Sequence, residues 1–408
     1  GAASALPDAE RIVLLDVLRG VALMGILVMN LPTFTAADTA PPHSLDHLAE
    51  VLRDMLFAGK FNSIFSLLFG LGFTLQLARL QARVPEQAVA IYCRRLGWLL
   101  AIGLVHEVLL WNGDVLHMYA LLGFGLLWMR RWSDRALLGL MALCVLAPAL
   151  SQLMRALLAS QAGHAAAAPL AAVVATGWSD AELQAFGHGS LLDVVRMNVH
   201  GFVSTYTQLG ELRNHLGLVA QVLTTMTLGL LIGRHGWVHQ LPQRMPQVLR
   251  LQRWSLGLAL VSVGIYALGH DLAPSAEAPV RALVGTAYVI ARLGLMAFYV
   301  LTLVRLMENP AWRRRLGPFA AAGRMPLTNY LAQTVICSVL FQGWGFGLWD
   351  QVGVAMEIPI ALVIFLAVQM PLSMWWLRHH DQGPLERLWR RATYGRAGPS
   401  GGVAARPK

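Results

Sequence analysis

The hydrophobic positions of this chain form long continuous runs that short polar stretches separate. Most runs are near the roughly 20 residues that a helix needs to cross a bilayer. Apolar and polar residues do not alternate within the runs, which excludes a transmembrane barrel. The pattern therefore predicts an all-α, polytopic membrane helical bundle of about ten transmembrane helices, at 12–32, 52–79, 95–112, 114–130, 136–158, 213–233, 254–270, 281–306, 326–348 and 355–378.

Composition agrees with a membrane bundle. Hydrophobic residues make up 56% of the 408 positions and charged residues only 13%, and the mean hydropathy is +0.54. A net charge of +10 would indicate a nucleic-acid partner in a soluble chain, but here the basic residues lie at helix ends. We therefore expect the lipid bilayer as partner and no nucleic acid. The three cysteines have no metal-ligand spacing, so we expect no metal site.

Arginine is concentrated in alternate loops, and the intervening loops are poor in Lys and Arg. By the positive-inside rule, this pattern places both termini in the cytoplasm. We predict one transmembrane domain over 1–395. It carries a lid-like outer loop at about 159–212, which is too long for a plain connector. A disordered tail follows at 396–408, where Gly, Pro and Arg dominate.

The first apolar run, at 11–30, contains two charges. Asp16, Arg19 and Asn30 fall on one stripe if each residue turns the helix by about 100°. A charge near the membrane core costs on the order of 2.5–3.5 kcal/mol, so the stripe must face protein or water. The three-residue spacing predicts an ion pair between Asp16 and Arg19 near the cytoplasmic mouth. Asn30 lies at the outer end and is a candidate catalytic residue.

The second run places Lys60 and Ser63 on a common face. Ser63 can be explained by close helix packing or by substrate binding. Close packing does not explain Lys60, because an ammonium inside the membrane needs a carboxylate, carbonyl groups or water around it. We therefore take Lys60 as a candidate for stabilising negative charge.

The third run, LVHEVLLWNGDVLHMYALLGFG, supplies His106, Glu107, Trp111 and Asp114. Three of them have an ordinary explanation: His106 as a hydrogen-bonded core histidine, Trp111 as an interfacial residue and Asp114 as a helix N-cap. Together they suit a histidine base that a carboxylate orients, with Trp111 in contact with substrate. Five candidates are predicted at similar depth in the outer half of three helices: Asn30, Lys60, His106, Glu107 and Asp114.

The ninth segment begins GRMPLTNYLAQTVIC and repeats polar groups on one face. Asn329 and Gln333 can join neighbouring helices or bind substrate. Arg324 stands at the cytoplasmic mouth with Arg19, where arginines either determine topology or bind phosphates of a donor. His43 and His47, four residues apart in the first outer loop, are read as polar loop residues.

Five blocks of the chain resemble, in order, the YeiB-like family of bacterial inner-membrane proteins. The blocks are RIVLLDVLRGVALMGILVMN, KFNSIFSLLFGLGF, HEVLLWNGDVLHMYALLG, GRMPLTNYLAQ and GPLERLWRRATYG. The first helix also resembles the transmembrane acyltransferase superfamily, whose N-acetyltransferase branch carries an Asn matched by Asn30 and then a catalytic His. Here the next histidines are His43 and His47, in a loop of different sequence, so depth favours His106 as the base.

The resemblance implies an acyltransferase that moves an acyl group from a cytoplasmic, acyl-CoA-like donor. The acceptor would be a hydroxyl or amine of a small molecule, lipid or glycan, and no covalently bound cofactor is expected. His106, oriented by Glu107 or Asp114, would be the general base in a polar intramembrane cavity. Two alternatives stay open: a cyclase or isomerase acting on an apolar substrate, and a transporter or permease. A homo-oligomer is a further expectation.

Overall fold

The computed structural model describes residues 8–35, 44–161, 179–270 and 278–394, and these form helices without any β-strand. Long apolar runs dictate this result, because only helices satisfy their own backbone inside a bilayer. The helices are α1 Asp8–Asn30, α2 Pro32–Thr35, α3 Leu45–Leu56, α4 Lys60–Arg83, α5 Ala88–Leu109, α6 Leu116–Met129, α7 Asp134–Gln161, α8 Asp180–His188, α9 Leu191–Thr207, α10 Leu209–Arg234, α11 Met245–His270, α12 Ala278–Glu308, α13 Pro310–Gly323, α14 Pro326–Phe341, α15 Val354–Val363, α16 Met370–His379 and α17 Pro384–Tyr394.

The described residues contain eight stretches that are long and apolar enough to cross a membrane. Two further apolar helices are shorter, α6 with 14 residues and α14 with 16. The eight long stretches confirm the all-α polytopic bundle. The second predicted helix, 52–79, is broken, because the chain turns at Gly59 with φ of 72° between α3 and α4. Lys60 is therefore the first residue of α4 and does not lie within a continuous helix.

Glycines allow the long helices to cross at backbone contact. A methyl group on Gly70 of α4 would lie 2.0 Å from the Met226 carbonyl oxygen of α10. A methyl group on Gly323 of α13 would lie 1.8 Å from the Asp16 carbonyl oxygen of α1. Small residues are the means by which membrane helices approach closely. These crossings hold α1 and α4, which carry five of the predicted polar site residues, against their neighbours.

Helices α8 and α9 occupy the second half of the predicted lid-like loop. Each begins with a capping box, in which a serine and an acidic residue satisfy the first free backbone groups: Ser179 with Glu182, and Ser190 with Asp193. Helix α9 packs against α5 and α10. The function of this region as a lid stays a prediction, since its first half, 162–178, lies outside the described residues.

Helix α17 closes the arginine-rich ends of the bundle. The Trp389 indole nitrogen donates to the Arg95 carbonyl oxygen at 2.9 Å, and the Arg95 guanidinium lies 3.6 Å from the centre of the Trp389 ring. Glu386 accepts the backbone N–H groups of Leu327 and Thr328 at 2.7 and 3.0 Å. A carboxylate in this position caps the N-terminus of α14, where the positive end of the helix dipole stabilises a negative charge. The predicted tail, 396–408, lies outside the described residues.

Candidate active site at the hairpin of α5 and α6

Helices α5 and α6 form a tight hairpin that carries the candidate site. Gly103 of α5 lies against the start of α6, where a methyl group would be 2.4 Å from the His117 backbone nitrogen. This contact brings the last two turns of α5, with His106 and Glu107, next to the first turn of α6. The Asn112–Gly113 turn joins the two helices, as its sequence indicates.

Three side chains form a hydrogen-bonded line through His106. The Nδ1 atom of His106 lies 2.9 Å from Asp114 Oδ1, and its Nε2 atom lies 3.0 Å from the hydroxyl of Thr334 on α14. All three side chains are buried. The other oxygen of Asp114 accepts the backbone N–H of Leu116 at 2.8 Å. Asp114 thus contacts both the first turn of α6 and the imidazole of His106, and its part in catalysis stays a prediction.

A second histidine, His117, extends the line. Its Nδ1 atom lies 2.6 Å from Glu107 Oε2 and 3.5 Å from Asp114 Oδ2, and its Nε2 atom lies 2.9 Å from the hydroxyl of Tyr206 on α9. The contact with Glu107 is off the line of a hydrogen bond, so its attraction is that of an ion pair. We call His106, Glu107, Asp114, His117 and Thr334 the histidine cluster.

The histidine cluster reaches the surface through Tyr206. This side chain is exposed, and its hydroxyl lies 3.4 Å from His215 Nε2. Burial of the phenol and then the charge of Glu107 raise the pKa of Tyr206 above its ordinary value. Tyr206 therefore stays protonated at neutral pH and can exchange a hydrogen bond with His117. A chain of titratable groups runs from the buried His106 to the edge of the bundle.

Glu107, Asp114 and His117 also meet the distance requirement for a metal site, because one ligand atom from each lies within 4.8 Å of the others. Two ligands at about 2.0–2.1 Å from a tetrahedral ion would be roughly 3.3 Å apart. The separation of 2.6 Å between Glu107 and His117 is too short for that arrangement and suits a protonated histidine. The expectation of no metal stays a prediction.

Aromatic rings enclose His106. The ring centres of His106 and Tyr330 are 5.6 Å apart, and those of His106 and Trp111 are 6.4 Å apart. Trp111 is buried and packs on Phe34 at 5.4 Å between ring centres. Trp111 therefore lines the site beside His106. The sequence also allowed a position for Trp111 at the membrane–water interface. A water-poor wall strengthens every charge interaction of the imidazole.

The other outer candidates make separate contacts. Lys60 is buried and donates to the Asp54 carbonyl oxygen at 2.8 Å, and Ser63 donates to the Gly59 carbonyl oxygen at 2.6 Å. Asn30 is half-buried at the last position of α1. No hydrogen bond between Lys60 or Asn30 and His106 is present among the described residues. Their joint role with the histidine stays a prediction.

At the arginine-rich ends, Arg19 donates to Asp16 at 2.8 Å, which confirms the predicted ion pair. Arg324 is also close enough to attract Asp16, and Arg95 is close enough to repel Arg19. The structure thus places Arg19 and Arg324 near Asp16, and Arg95 near Arg19. Whether they bind substrate stays a prediction.

The amides of α14 join three helices. Asn329 donates to the Ala322 carbonyl oxygen at 3.0 Å and to Ser373 at 3.0 Å. Gln333 donates to the Leu23 carbonyl oxygen and to Gln369, both at 3.1 Å. Gln369 ends a π-helical turn at 364–369. These contacts match the structural explanation of the amides, and substrate binding by Asn329 and Gln333 stays a prediction.

Sequence reasoning missed Thr334, His117, Tyr206 and Arg292. Thr334 and His117 lie inside quoted motifs, and a histidine three residues after Asp114 was a usable signal. Tyr206 lies in the long loop, where no periodicity singles it out. Arg292 interrupts the apolar run 281–306 and is buried on α12. A lone charge in an apolar run is itself a signal.

Comparison with known proteins shows relatives of the whole chain. The family described as "Protein of unknown function (DUF418)" matches residues 232–396. The chain is 30% identical to "Uncharacterized protein YxaH" of Bacillus subtilis (strain 168) over 94% of each chain. It is 28% identical to "Uncharacterized protein YeiB" of Escherichia coli (strain K12), over 96% of this chain and 98% of that one. No solved structure matches. The chain therefore belongs to the YeiB-like family, which contains YxaH and YeiB.

Proposed function

We propose that this protein is a membrane-embedded acyltransferase in which His106 is the general base. The observation that carries the proposal is the line from Asp114 through His106 to the Thr334 hydroxyl. Asp114 holds Nδ1 in its protonated form, which leaves the lone pair of Nε2 directed at a hydroxyl. A general base must lie within hydrogen-bond reach of the proton that it removes, and Nε2 of His106 makes a contact of this length with the Thr334 hydroxyl.

In the proposed reaction, the acceptor hydroxyl or amine takes the position that Thr334 holds in the resting protein. Nε2 of His106 removes its proton while the acceptor oxygen or nitrogen bonds to the acyl carbon of a thioester donor. The carbon–sulfur bond breaks, and the imidazolium returns the proton to the departing thiolate. Asp114 stabilises the imidazolium between these steps. The acceptor would be a small molecule, a lipid or a glycan.

The donor would approach from the arginine-rich side. Arg19, Arg95 and Arg324 supply cations to phosphate groups there, as arginine does at many phosphate sites. His106 lies eleven residues along α5 from Arg95, or about 17 Å at 1.5 Å per residue. A donor with its phosphates at the arginines must therefore span about that length to bring its thioester to the histidine. In this orientation the arginine-rich side is cytoplasmic, the protein resides in the bacterial inner membrane, and both termini are cytoplasmic.

The test is thiol release from acyl-CoA by the purified chain in nanodiscs made of bacterial lipid extract. We expect His106→Gln and Asp114→Asn each to lower the rate about 10²–10⁴-fold, the usual contribution of a positioned base. His47→Gln is the matched control, because His47 is exposed on α3. Loss of activity in His47→Gln with full activity in His106→Gln would transfer the role of base to α3 and overturn the proposal.

A proton-coupled transporter is the second candidate, and the chain of groups from His106 through His117 to the exposed Tyr206 favours it. Chains of titratable side chains are typical of proton pathways in pumps and transporters. Proteoliposomes under a pH gradient, with a dye that reports internal pH, test this candidate. Proton movement that Tyr206→Phe abolishes would support it. A flat trace with the wild type would set it aside.

A further inference from the structure

A separate group of charges stands where α4 begins, and neither proposed function uses it. Lys60 and Arg292, which we call the cation pair, come from α4 and α12 and are only 3% and 7% exposed. Gly59, directly before Lys60, packs against the side chain of Arg292, since a methyl group on Gly59 would lie 2.5 Å from Arg292 Cδ. The two cations are close enough to repel each other. Two positive charges therefore meet inside the bundle.

The cation pair has incomplete partners among the described residues. Lys60 donates to a backbone carbonyl, and Arg292 donates through one guanidinium nitrogen to the amide oxygen of Gln221. The Nε atom of Arg292 is buried and has no hydrogen-bond partner. A buried guanidinium that keeps an unused donor costs free energy unless a further acceptor arrives.

The nearby carboxylates are already engaged. Asp54 lies close enough to attract Lys60, but its side chain is 56% exposed and pairs with Arg53 at 3.0 Å. Glu357 pairs with the same arginine at 2.7 Å. Asp54 and Glu357 thus both pair with Arg53. Among the described residues, neither Lys60 nor Arg292 forms an ion pair with a carboxylate at hydrogen-bond distance.

The start of α4 adds to this field. The helix has 24 residues, and no side chain caps its N-terminus. A helix N-terminus carries roughly half a positive charge and presents free N–H groups to an anion. Lys60 is its first residue, so the ammonium, the guanidinium and the helix end lie together. The ammonium, the guanidinium and the helix end all attract a negative charge.

We propose that the cation pair binds one oxyanion, a phosphate or carboxylate group, between α4 and α12. Such a group accepts hydrogen bonds from the free Nε of Arg292 and from the Lys60 ammonium, and it lies at the positive end of the α4 dipole. It also neutralises positive charge of the cation pair. Two sources supply this chemistry, a free anion and the headgroup of an anionic lipid, and they are distinguishable.

The experiment uses the full chain, purified in detergent and stripped of lipid. Inorganic phosphate is titrated while the melting temperature is followed, and nanodiscs of phosphatidylcholine with and without phosphatidylglycerol form the second arm. We expect phosphate or phosphatidylglycerol to raise the melting temperature of the wild type. Stabilisation by phosphate identifies a free oxyanion as a ligand, and stabilisation by phosphatidylglycerol alone identifies the lipid headgroup.

Variants locate the effect. Lys60→Met and Arg292→Met should weaken binding about tenfold or more, because each removes a charge-assisted hydrogen bond. Arg292→Lys keeps the charge and removes the guanidinium, so it serves if the Met variant does not fold. Arg196→Met is the matched control, since Arg196 is exposed on α9, with its side chain 70% accessible. A wild type that neither anion stabilises, or site variants that respond as Arg196→Met does, would overturn the proposal.

Discussion

The histidine cluster and the cation pair are both buried and polar, yet their charges are arranged differently. In the cluster, Glu107 and Asp114 each contact a histidine within 3.5 Å. In the cation pair, Arg292 donates to the amide oxygen of Gln221, and Lys60 donates to the backbone carbonyl of Asp54. A buried charge with its counter-charge is stable by itself, whereas a buried charge without one needs something from outside. The first region is thus self-contained, and the second requires a ligand.

The largest effect should follow from breaking a pair in the cluster. His117→Phe leaves the Glu107 carboxylate buried without its cation, and removal of one partner of a buried pair costs about 3–5 kcal/mol. We expect a large drop in the free energy of unfolding, measured by denaturant titration in detergent. Glu107→Gln combined with His117→Phe should recover most of that loss, because no charge is then stranded.

His215→Phe is the matched control for this prediction. His215 stacks on His117 with ring centres 6.3 Å apart but contacts no carboxylate of the cluster. His215→Phe should therefore lower the free energy of unfolding by less than about 1 kcal/mol, as substitutions at partly exposed positions commonly do. A double variant that is no more stable than His117→Phe alone would show that packing, and not charge pairing, holds the cluster together.

The second effect concerns the hairpin that assembles the cluster. Gly103→Ala places a methyl group 2.4 Å from the backbone of α6, and overpacking of this kind costs about 1–3 kcal/mol. We expect α5 and α6 to separate, which lengthens the contact between Glu107 and His117 and lowers activity together with stability. Gly97→Ala on the same helix is the control, since a methyl group there meets nothing within 4 Å. Equal stability of the two variants would contradict the tight approach.

The sequence revealed features that depend on neighbours along the chain. The apolar runs predicted the bundle, and the three-residue spacing predicted the pair of Asp16 with Arg19, because both follow from helix geometry. The contact between His106 and Thr334 spans 228 positions, and that between Arg53 and Glu357 spans 304. No local period encodes such contacts, since they depend on which helices become neighbours.

The break before α4 was missed for a different reason. The residues at 55–59 and most of those at 63–79 are apolar, so hydropathy gives little sign of an end at Gly59. Only Gly59, with its φ of 72°, carries the information, and a single glycine in an apolar segment is as often a packing residue. Lys60 consequently looked like a charge deep inside a helix, whereas it is the first residue of one.

The third effect addresses that turn. Gly59→Ala forces a side chain into the left-handed region, which costs about 1–2 kcal/mol, and pushes Arg292 Cδ away. We expect this loss of stability together with weaker phosphate binding, because Arg292 moves relative to Lys60. Gly236→Ala is the control, since its φ of 62° is similar and it lies away from the pair, beside His239. Equal losses of stability, with phosphate binding changed only in Gly59→Ala, would match the expectation; unchanged binding in both would contradict it.

The smallest effect on stability should come from the pair itself. In lipid-stripped protein without added anion, Arg292→Met removes a charge that has no paired carboxylate and leaves a shorter, unbranched apolar side chain. The free energy of unfolding should therefore stay constant or rise, in contrast to the loss in His117→Phe. In saturating phosphate, the wild type should be more stable than Arg292→Met, because the wild type then gains the binding free energy that the variant lacks. A large loss of stability in Arg292→Met without any anion would mean that the pair is complete as it stands, and the difference between the two regions would disappear.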